Sequence, residues 1–531
     1  MSPSQTSKDQ NQKQVPLSTI EAELARFEEE ERKKLGLSEE TPQWDERQNT
    51  DFFADQREHT TILVSGLTMA HDTFIKAGLS GLGYKIKNLD CPDNDALQTG
   101  KEYGNRGQCN PTYFTVGNLV KYLIDLRDKE GWSTQDVLDK HVFLTAGACG
   151  PCRFGMYVTE YRKALRDAGF DGFRVMLFEP NGGMSQATGR EVGLKMDKEF
   201  FLTLGKSVFA GDALNAIMYR IRPYEVEAGA TDRAIVKCKE HINFALKNKK
   251  SLLKALWRSR KELQQVKVDQ TIVKPKVSII GEFWAMTTEG DGNYKLQRFL
   301  EQEGAEVDIQ LIAGWILYNI WQARVDTKSR MKLRGSDEEA RKGLKTTQVA
   351  KKFLILWIAE KAVRLTFKTF GWCLGLKHYK LPNMKENAAV AAEHYNHELR
   401  GGEGHMEVGK LIQNVIHKKA HMTLSVKPFG CMPSSGVSDG VQSVITEKYP
   451  EAIFLPIETT GDGAVNVYSR IQMMLFKAKR AAEAEYEEAM KEKGLTVEKL
   501  KKKIKGSRAS STFYAKHKGA GTAANLVFEV A

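Results

Sequence analysis

Apolar residues recur along the chain in two patterns that alternate: short unbroken runs, and longer stretches at helical spacing. Thr61-Ile62-Leu63-Val64-Ser65-Gly66 predicts a buried strand, Asp72 to Gly81 a helix, and Tyr84 to Leu89 the next strand. A helix from Tyr113 to Lys129, a strand ending at Thr145, a helix from Gly155 to Ala168 and a strand from Phe173 to Phe178 follow. After a charged helical stretch, Arg233 to Gln265, the alternation returns. Lys276 to Glu282 predicts a strand, Asn293 to Glu303 a helix, Val307 to Leu311 a strand, and Trp315 to Leu376 a mainly helical stretch. A third α/β stretch starts with a strand at Met422 to Val426, passes a helix near Gly436 to Glu447 and reaches a strand at Ala452 to Ile457. Strands and helices alternating at these lengths predict an α/β protein whose parallel sheets carry helices on both faces.

The size fits several such units. With 531 residues, 41% of them hydrophobic and 27% charged, the chain can bury about three domains of roughly 150 residues. The pattern divides it into a charged N-terminal extension (1–58), an α/β domain (59–232), a helical connector (233–270), an α/β unit with a helical region (271–418), a further α/β unit (419–481) and a basic C-terminal tail (482–531). Within the extension, Ser18 can cap a helix that Gly36 ends. No apolar run approaches the roughly 20 residues that span a bilayer, and the start lacks the pattern of a secretory signal. A cytoplasmic protein without membrane association is therefore expected. Phe353 to Ile358, flanked by Lys351, Lys352 and Lys361, reads as a segment of core helix.

The net charge of +12 raises nucleic acid as a partner, but its distribution argues against it. Lys491 to Lys518 holds ten Lys or Arg against two Glu, the composition of a solvated helix face or tail. Ser18 to Asp51 holds eleven acids and five bases, so the two ends carry opposite charge.

Chemistry enters with the cysteines. Seven cysteines spread over this length form no disulfide framework, and a reducing compartment would keep them as thiols. Cys149-Gly150-Pro151-Cys152 stands where the chain turns from strand to helix, and Cys109-Asn110-Pro111 and Gly430-Cys431-Met432-Pro433 lie in turns of similar kind. Cys91-Pro92 shares the feature more weakly. Short rigid turns that leave backbone amides free suit iron–sulfur ligation. Cys238 and Cys373, inside helical patterns, read as buried small hydrophobes. Zinc fits less well, because one close pair plus distant single cysteines is not the two-pair spacing of a zinc ribbon. A thioredoxin-like dithiol is the stronger competitor, since C-G-P-C at a strand-to-helix turn is that family's active-site sequence. Against it stand Ala148 and Arg153 in place of the expected tryptophan and lysine, and Cys109 and Cys431 left without a role.

The stretch from Tyr103 to Gly117 around Cys109-Asn110-Pro111 resembles the 2-hydroxyacyl-CoA dehydratase / benzoyl-CoA reductase superfamily. So do Gly147-Ala148-Cys149-Gly150-Pro151-Cys152-Arg153-Phe154-Gly155-Met156-Tyr157, Gly402-Glu403-Gly404-His405 and Lys427-Pro428-Phe429-Gly430-Cys431-Met432-Pro433. The nearest branch is the activase-related proteins, themselves distantly related to the double-cubane cluster proteins. The resemblance covers roughly residues 60 to 475. It implies two or three Rossmann-like parallel-sheet domains with helical insertions, an oxygen-sensitive iron–sulfur cluster, and electrons delivered by a separate ATP-hydrolysing activase. Carried over by position, Cys109, Cys431 and one or both of Cys149 and Cys152 match the family's cluster cysteines. A single [4Fe-4S] cluster is the simpler cofactor; a double-cubane [8Fe-9S] cluster would also recruit Cys91 and a helix cysteine. No residues that would establish a coenzyme A pocket are evident, so dehydratase activity does not follow from kinship.

Other signals carry less. Gly404 to Leu411 follows most of a phosphate-binding loop but ends in Leu411 where a hydroxyl would hold magnesium, and no strand precedes it. Glu403, His405 and Glu407 could serve a crevice as acid–base groups or simply start a helix. His394 and His397, three apart on an expected helix, lack a third metal ligand. Glu282, Glu458 and the turn Glu179 to Gly183 fall just past expected strands, where open parallel sheets place their crevice. The sequence thus supports an iron–sulfur reductase or electron-transfer component acting on a small substrate, alone or in a homo- or hetero-oligomer. A non-catalytic cluster-binding scaffold and a C-G-P-C dithiol oxidoreductase are the alternatives.

Overall fold

A computed structural model describes residues 24, 26, 27, 30, 31, 33–35, 52–147, 152–178, 192–332, 346–396, 398–399, 404–435, 440–513 and 519–530. Met1–Asn49 forms one unit and Thr50–Ala531 a second. In the first, the described positions from Leu24 to Lys34 are helical, Leu35 is a turn, and the other positions of the expected Ser18–Leu35 helix lie outside the described residues.

The larger unit contains two sheets of the same order. The first lobe runs β1 (Thr61–Val64), α1 (Met69–Gly81), β2 (Lys85–Asn88), α2 (Asn94–Tyr103), α3 (Asn110–Asp128), α4 (Thr134–Lys140), β3 (His141–Ala146), α5 (Tyr157–Asp167) and β4 (Val175–Phe178). Helices α6 (Lys198–Ile221), α7 (Ala230–Lys247) and α8 (Leu252–Gln264) lead to the second lobe. That lobe runs β5 (Lys276–Gly281), α9 (Phe283–Thr287), α10 (Leu296–Gln302), β6 (Glu306–Ile309), α11 (Ile312–Lys332), α12 (Thr346–Leu374), α13 (Met384–Ala391), α14 (Gly404–Ile416), β7 (Met422–Pro428), α15 (Val441–Lys448) and β8 (Ile453–Thr459). Three helices close the chain: α16 (Ala464–Glu492), α17 (Val497–Ile504) and α18 (Thr522–Val530).

Among the described residues the strands form two four-stranded sheets, β2-β1-β3-β4 and β6-β5-β7-β8, parallel at every pairing. The α/β expectation with parallel sheets and helical insertions is met. The stretch expected as a third unit supplies β7 and β8 to the second sheet, where Met422–Val426 pairs with Val277–Gly281. In each sheet the chain leaves its second strand in order on one side and resumes on the other. The switch points therefore lie between β1 and β3 and between β5 and β7, and a crevice opens beyond the carboxyl ends of those strands.

Two segments depart from the sequence reading. Residues beyond 482 continue α16 and add α17 and α18, whose Ala524, Leu526 and Val527 are buried, and Thr522 Oγ1 donates to Glu306 Oε2 at 2.6 Å. Leu354, Ile355, Trp357 and Ile358 face outward from α12, each more than half exposed, rather than into a core. No helix among the described residues is long and apolar enough to cross a membrane.

Two half-buried acids mark the seam between the lobes. Met69 N donates to Glu289 Oε2 at 2.7 Å, and Leu67 N donates to Asp72 Oδ1 at 3.2 Å. Burial lifts the Asp72 carboxyl from 3.8 to about 6; the Leu67 amide and His71 oppose the rise, while the charge of Glu289 adds to it. A carboxyl that titrates higher in the fold than in the unfolded chain makes the fold bind the extra proton. Its contribution is therefore favourable below about pH 4 and is lost as pH rises through 6. Asp72→Asn keeps the acceptor for Leu67 N and removes the charge. It should stabilise the protein at pH 7.5 by on the order of 2 kcal/mol and flatten stability between pH 4 and 7. Urea unfolding of both proteins at pH 4.5 and 7.5 measures this, and equal stabilities at pH 7.5 would refute it.

Candidate functional site

The sequence Cys-X-Pro-Thr begins α3 and Cys-X-Pro-Ser begins a single helical turn, Met432–Ser434. In both, proline stands where a helix has no use for its amide hydrogen. Cys109 and Cys431 are the capping residues, with extended backbones (φ −73°, ψ 153° and φ −74°, ψ 116°) that aim each side chain across the first turn. Cys152 holds the same place before the 3-10 turn Arg153–Met156, at φ −67° and ψ 133°. Cys152 follows β3 and Cys431 follows β7, so each stands at the switch point of its own sheet.

Backbone contacts bring the Cys109 and Cys431 turns together across the lobes. Asn110 N donates to Phe429 O at 3.0 Å, and Asn110 Nδ2 donates to Thr459 O at 2.7 Å. Gly430 makes the approach feasible. Its φ of +76° suits glycine, and a Cβ there would lie 3.3 Å from Cys109 Cα and 3.2 Å from Gln108 O. Arg153, next to Cys152, reaches back to donate to Gly107 O.

Around the two thiols the surroundings are buried and rich in hydroxyls. Cys109 Sγ lies 3.1 Å from Thr112 Oγ1 and 3.1 Å from Tyr157 Oη, and Cys431 Sγ lies 3.2 Å from Ser434 Oγ. Burial pushes the Cys431 thiol well up; the charge of Glu282 and, more weakly, that of Cys152 add to the rise, and the Ser434 hydroxyl and amide oppose it. Burial, followed by the charges of Cys109 and Glu282, holds Tyr157 well above the usual phenol range, so it remains a donor. Glu282 caps α9 by accepting from Trp284 N at 3.1 Å and Ala285 N at 2.8 Å, yet burial still raises its carboxyl. Cys109, Cys152, Cys431, Tyr157 and Glu282 thus make one electrostatic neighbourhood. A neutral, buried thiol such as Cys431 is a poor nucleophile, whereas metal coordination would deprotonate it.

The remaining sequence candidates fall elsewhere. Cys149 and the turn Glu179–Gly183 lie outside the described residues, as do Glu403 and His397. Cys91 stands on the seam at the far end of α9 from Glu282, its Sγ 3.9 Å from Thr288 Oγ1, with its thiol raised by burial. Cys238 and Cys373 are buried in α7 and α12 and belong to the core around the second sheet, whereas Cys109 belongs to a first-lobe core. The Cys238 Sγ donates to Ser259 O at 3.4 Å, and burial pushes its thiol up to about 12. Glu458 lies within β8 and is exposed. His405 is buried between the rings of Tyr318 and Trp321, centroids 4.9 and 4.5 Å away, inside α14. His394 sits in a turn beyond α13, its Nε2 3.4 Å from Lys448 Nζ. Among the described residues no three His, Cys, Asp or Glu side chains converge as a metal-ligating group.

Thr112, Ser434 and Tyr157 escaped the sequence reading. The signal for the first two was the spacing itself, a hydroxyl three residues after the cysteine of each Cys-X-Pro turn. Tyr157 stands in the sequence only as the last residue of the C-G-P-C phrase, with no role attached to it. No protein-family model matches the chain, and no curated protein matches it.

Proposed function

We propose that this chain is the cluster-bearing component of a low-potential reductase. It would hold an iron–sulfur cluster between its lobes, receive electrons from a separate ATP-hydrolysing activase, and pass them to a small substrate. The observation that carries the reading is the meeting of the Cys109 and Cys431 turns, brought from opposite lobes by the Asn110 N to Phe429 O hydrogen bond. The likeness of these cysteine phrases to the 2-hydroxyacyl-CoA dehydratase / benzoyl-CoA reductase superfamily supports the same assignment.

Cys109 and Cys431 are buried thiols in rigid turns with hydroxyl and amide donors nearby, a donor set that fits an iron–sulfur cluster. The Cys149/Cys152 turn would complete the ligands, with Cys152 favoured by its shared capping backbone. Such a cluster supplies one-electron transfer at very negative potential. The residues of this chain would bury it and exclude water, while Tyr157 keeps its proton beside Cys109. The separation of Cys238 and Cys373 into another core favours a single [4Fe-4S] cluster over a double cubane.

Cys109→Ser and Cys431→Ser should each remove most of the iron bound after anaerobic purification, whereas Cys238→Ser should retain it. Iron assay of the three variants beside the wild type tests the ligand set. Equal iron in all of them would remove Cys109 and Cys431 from the site.

A further inference from the structure

The two cysteine turns that meet across the lobes are built alike beyond the cysteine. In Cys109-Asn110-Pro111-Thr112 the Thr112 hydroxyl is 3.1 Å from the sulfur, and in Cys431-Met432-Pro433-Ser434 the Ser434 hydroxyl is 3.2 Å from it. Hydroxyl residues are common at the capping position itself, where they serve backbone amides. Here the capping residue is the cysteine, and each hydroxyl lies within hydrogen-bond distance of its sulfur; the Cys431 thiol donates to Ser434 Oγ, a bond that deprotonation of the sulfur would reverse. Tyr157, the first residue of α5, adds a third oxygen at 3.1 Å from Cys109 Sγ, from a side chain that is itself buried. The sulfur of Cys109 thus meets two hydroxyls and that of Cys431 one.

We propose that Thr112, Tyr157 and Ser434 are dedicated hydrogen-bond donors to the iron-bound sulfurs of Cys109 and Cys431, and that they set the reduction potential of the site. The proposal rests on the cluster reading above. A hydroxyl donating to a thiolate stabilises negative charge there, and the reduced state carries one more electron than the oxidised state. Each donor therefore raises the potential, and its removal lowers it. These are positioning residues, acting through the cysteines. Tyr157 acts across the fold, since it follows the C-G-P-C turn in sequence yet reaches the sulfur of Cys109 at the start of α3. It couples two of the three cysteine segments.

The test uses the full chain, purified anaerobically as wild type, Thr112→Val, Tyr157→Phe, Ser434→Ala and Thr112→Ser. Iron content, thermal midpoint and an EPR-monitored titration with titanium(III) citrate are measured on each. The expected result is wild-type iron content in every variant with a more negative potential for Thr112→Val, Tyr157→Phe and Ser434→Ala. Thr112→Ser should restore the wild-type value, and Thr112→Val with Tyr157→Phe together should exceed either alone. A lower thermal midpoint with an unchanged potential would overturn the proposal, because the hydroxyls would then serve only the packing of their turns. If one variant fails to fold, the others still decide the question. Iron-free wild-type protein would overturn the cluster reading itself, an outcome that iron assay separates from an unchanged potential.

Discussion

Replacing Gly117 with Ala is expected to destabilise the protein by about 3 kcal/mol and to cost the cysteine site its geometry. Helices α2 and α3 cross where Gly100 and Gly117 lack side chains, and a Cβ on Gly117 would overlap the carbonyl oxygen of Ala96 and the backbone of Gly100. These neighbours are main-chain atoms, so no rotamer change relieves the clash and the helices must part. Cys109 caps the N-terminus of α3, so the displacement reaches the sulfur directly. Urea unfolding and iron content should fall together, while Gln98→Ala on the exposed face of α2 should change neither. Wild-type stability in Gly117→Ala would show that the crossing is looser than described.

The second large effect is expected at Asp212, buried in α6 at 1% exposure. Its carboxylate accepts from Ile312 N at 3.0 Å and Ala313 N at 2.7 Å, the first amides of α11, and lies 3.2 Å from His71 Nε2. His71 Nδ1 in turn meets Thr68 Oγ1 at 2.7 Å, to which Asn215 Nδ2 donates at 2.9 Å. One side chain thereby joins the start of α1 in the first lobe, α6, and the start of α11 in the second. Asp212→Ala strands those donors away from water and should cost about 3–5 kcal/mol. Asp212→Asn keeps one acceptor oxygen and should cost clearly less. Equal losses for the two variants, read by urea unfolding, would mean that packing volume rather than hydrogen bonding sets the effect.

The parallel sheets were legible because short strand stretches rich in apolar and β-branched residues, such as Ile62-Leu63-Val64 and Val277 to Ile280, alternate with stretches at helical spacing. Helix α3 starts at Asn110, earlier than its apolar spacing indicates, because Pro111 and the Cys109 cap initiate it before the periodic residues begin. Helix α6 left no periodic trace: from Ser207 to Tyr219 every residue is buried, so no polar face alternates with an apolar one. The outward-facing apolar residues of α12 mislead in the opposite direction, since hydrophobicity alone cannot distinguish a core face from an exposed one. At the site, the cysteines announced themselves through their Pro and Gly neighbours. Their meeting depends on backbone contacts between residues distant in sequence, Asn110 with Phe429 and Thr459, and Tyr157 reaches Cys109 only through the packing of α5 against α3.

Iron and acid-labile sulfide analysis of the full chain, purified without oxygen, tests the central claim most directly. The account predicts brown protein with about four iron and four sulfide per chain and a broad absorption near roughly 400 nm that bleaches in air. Colourless, iron-free protein in which Cys149 and Cys152 cycle between dithiol and disulfide would contradict it.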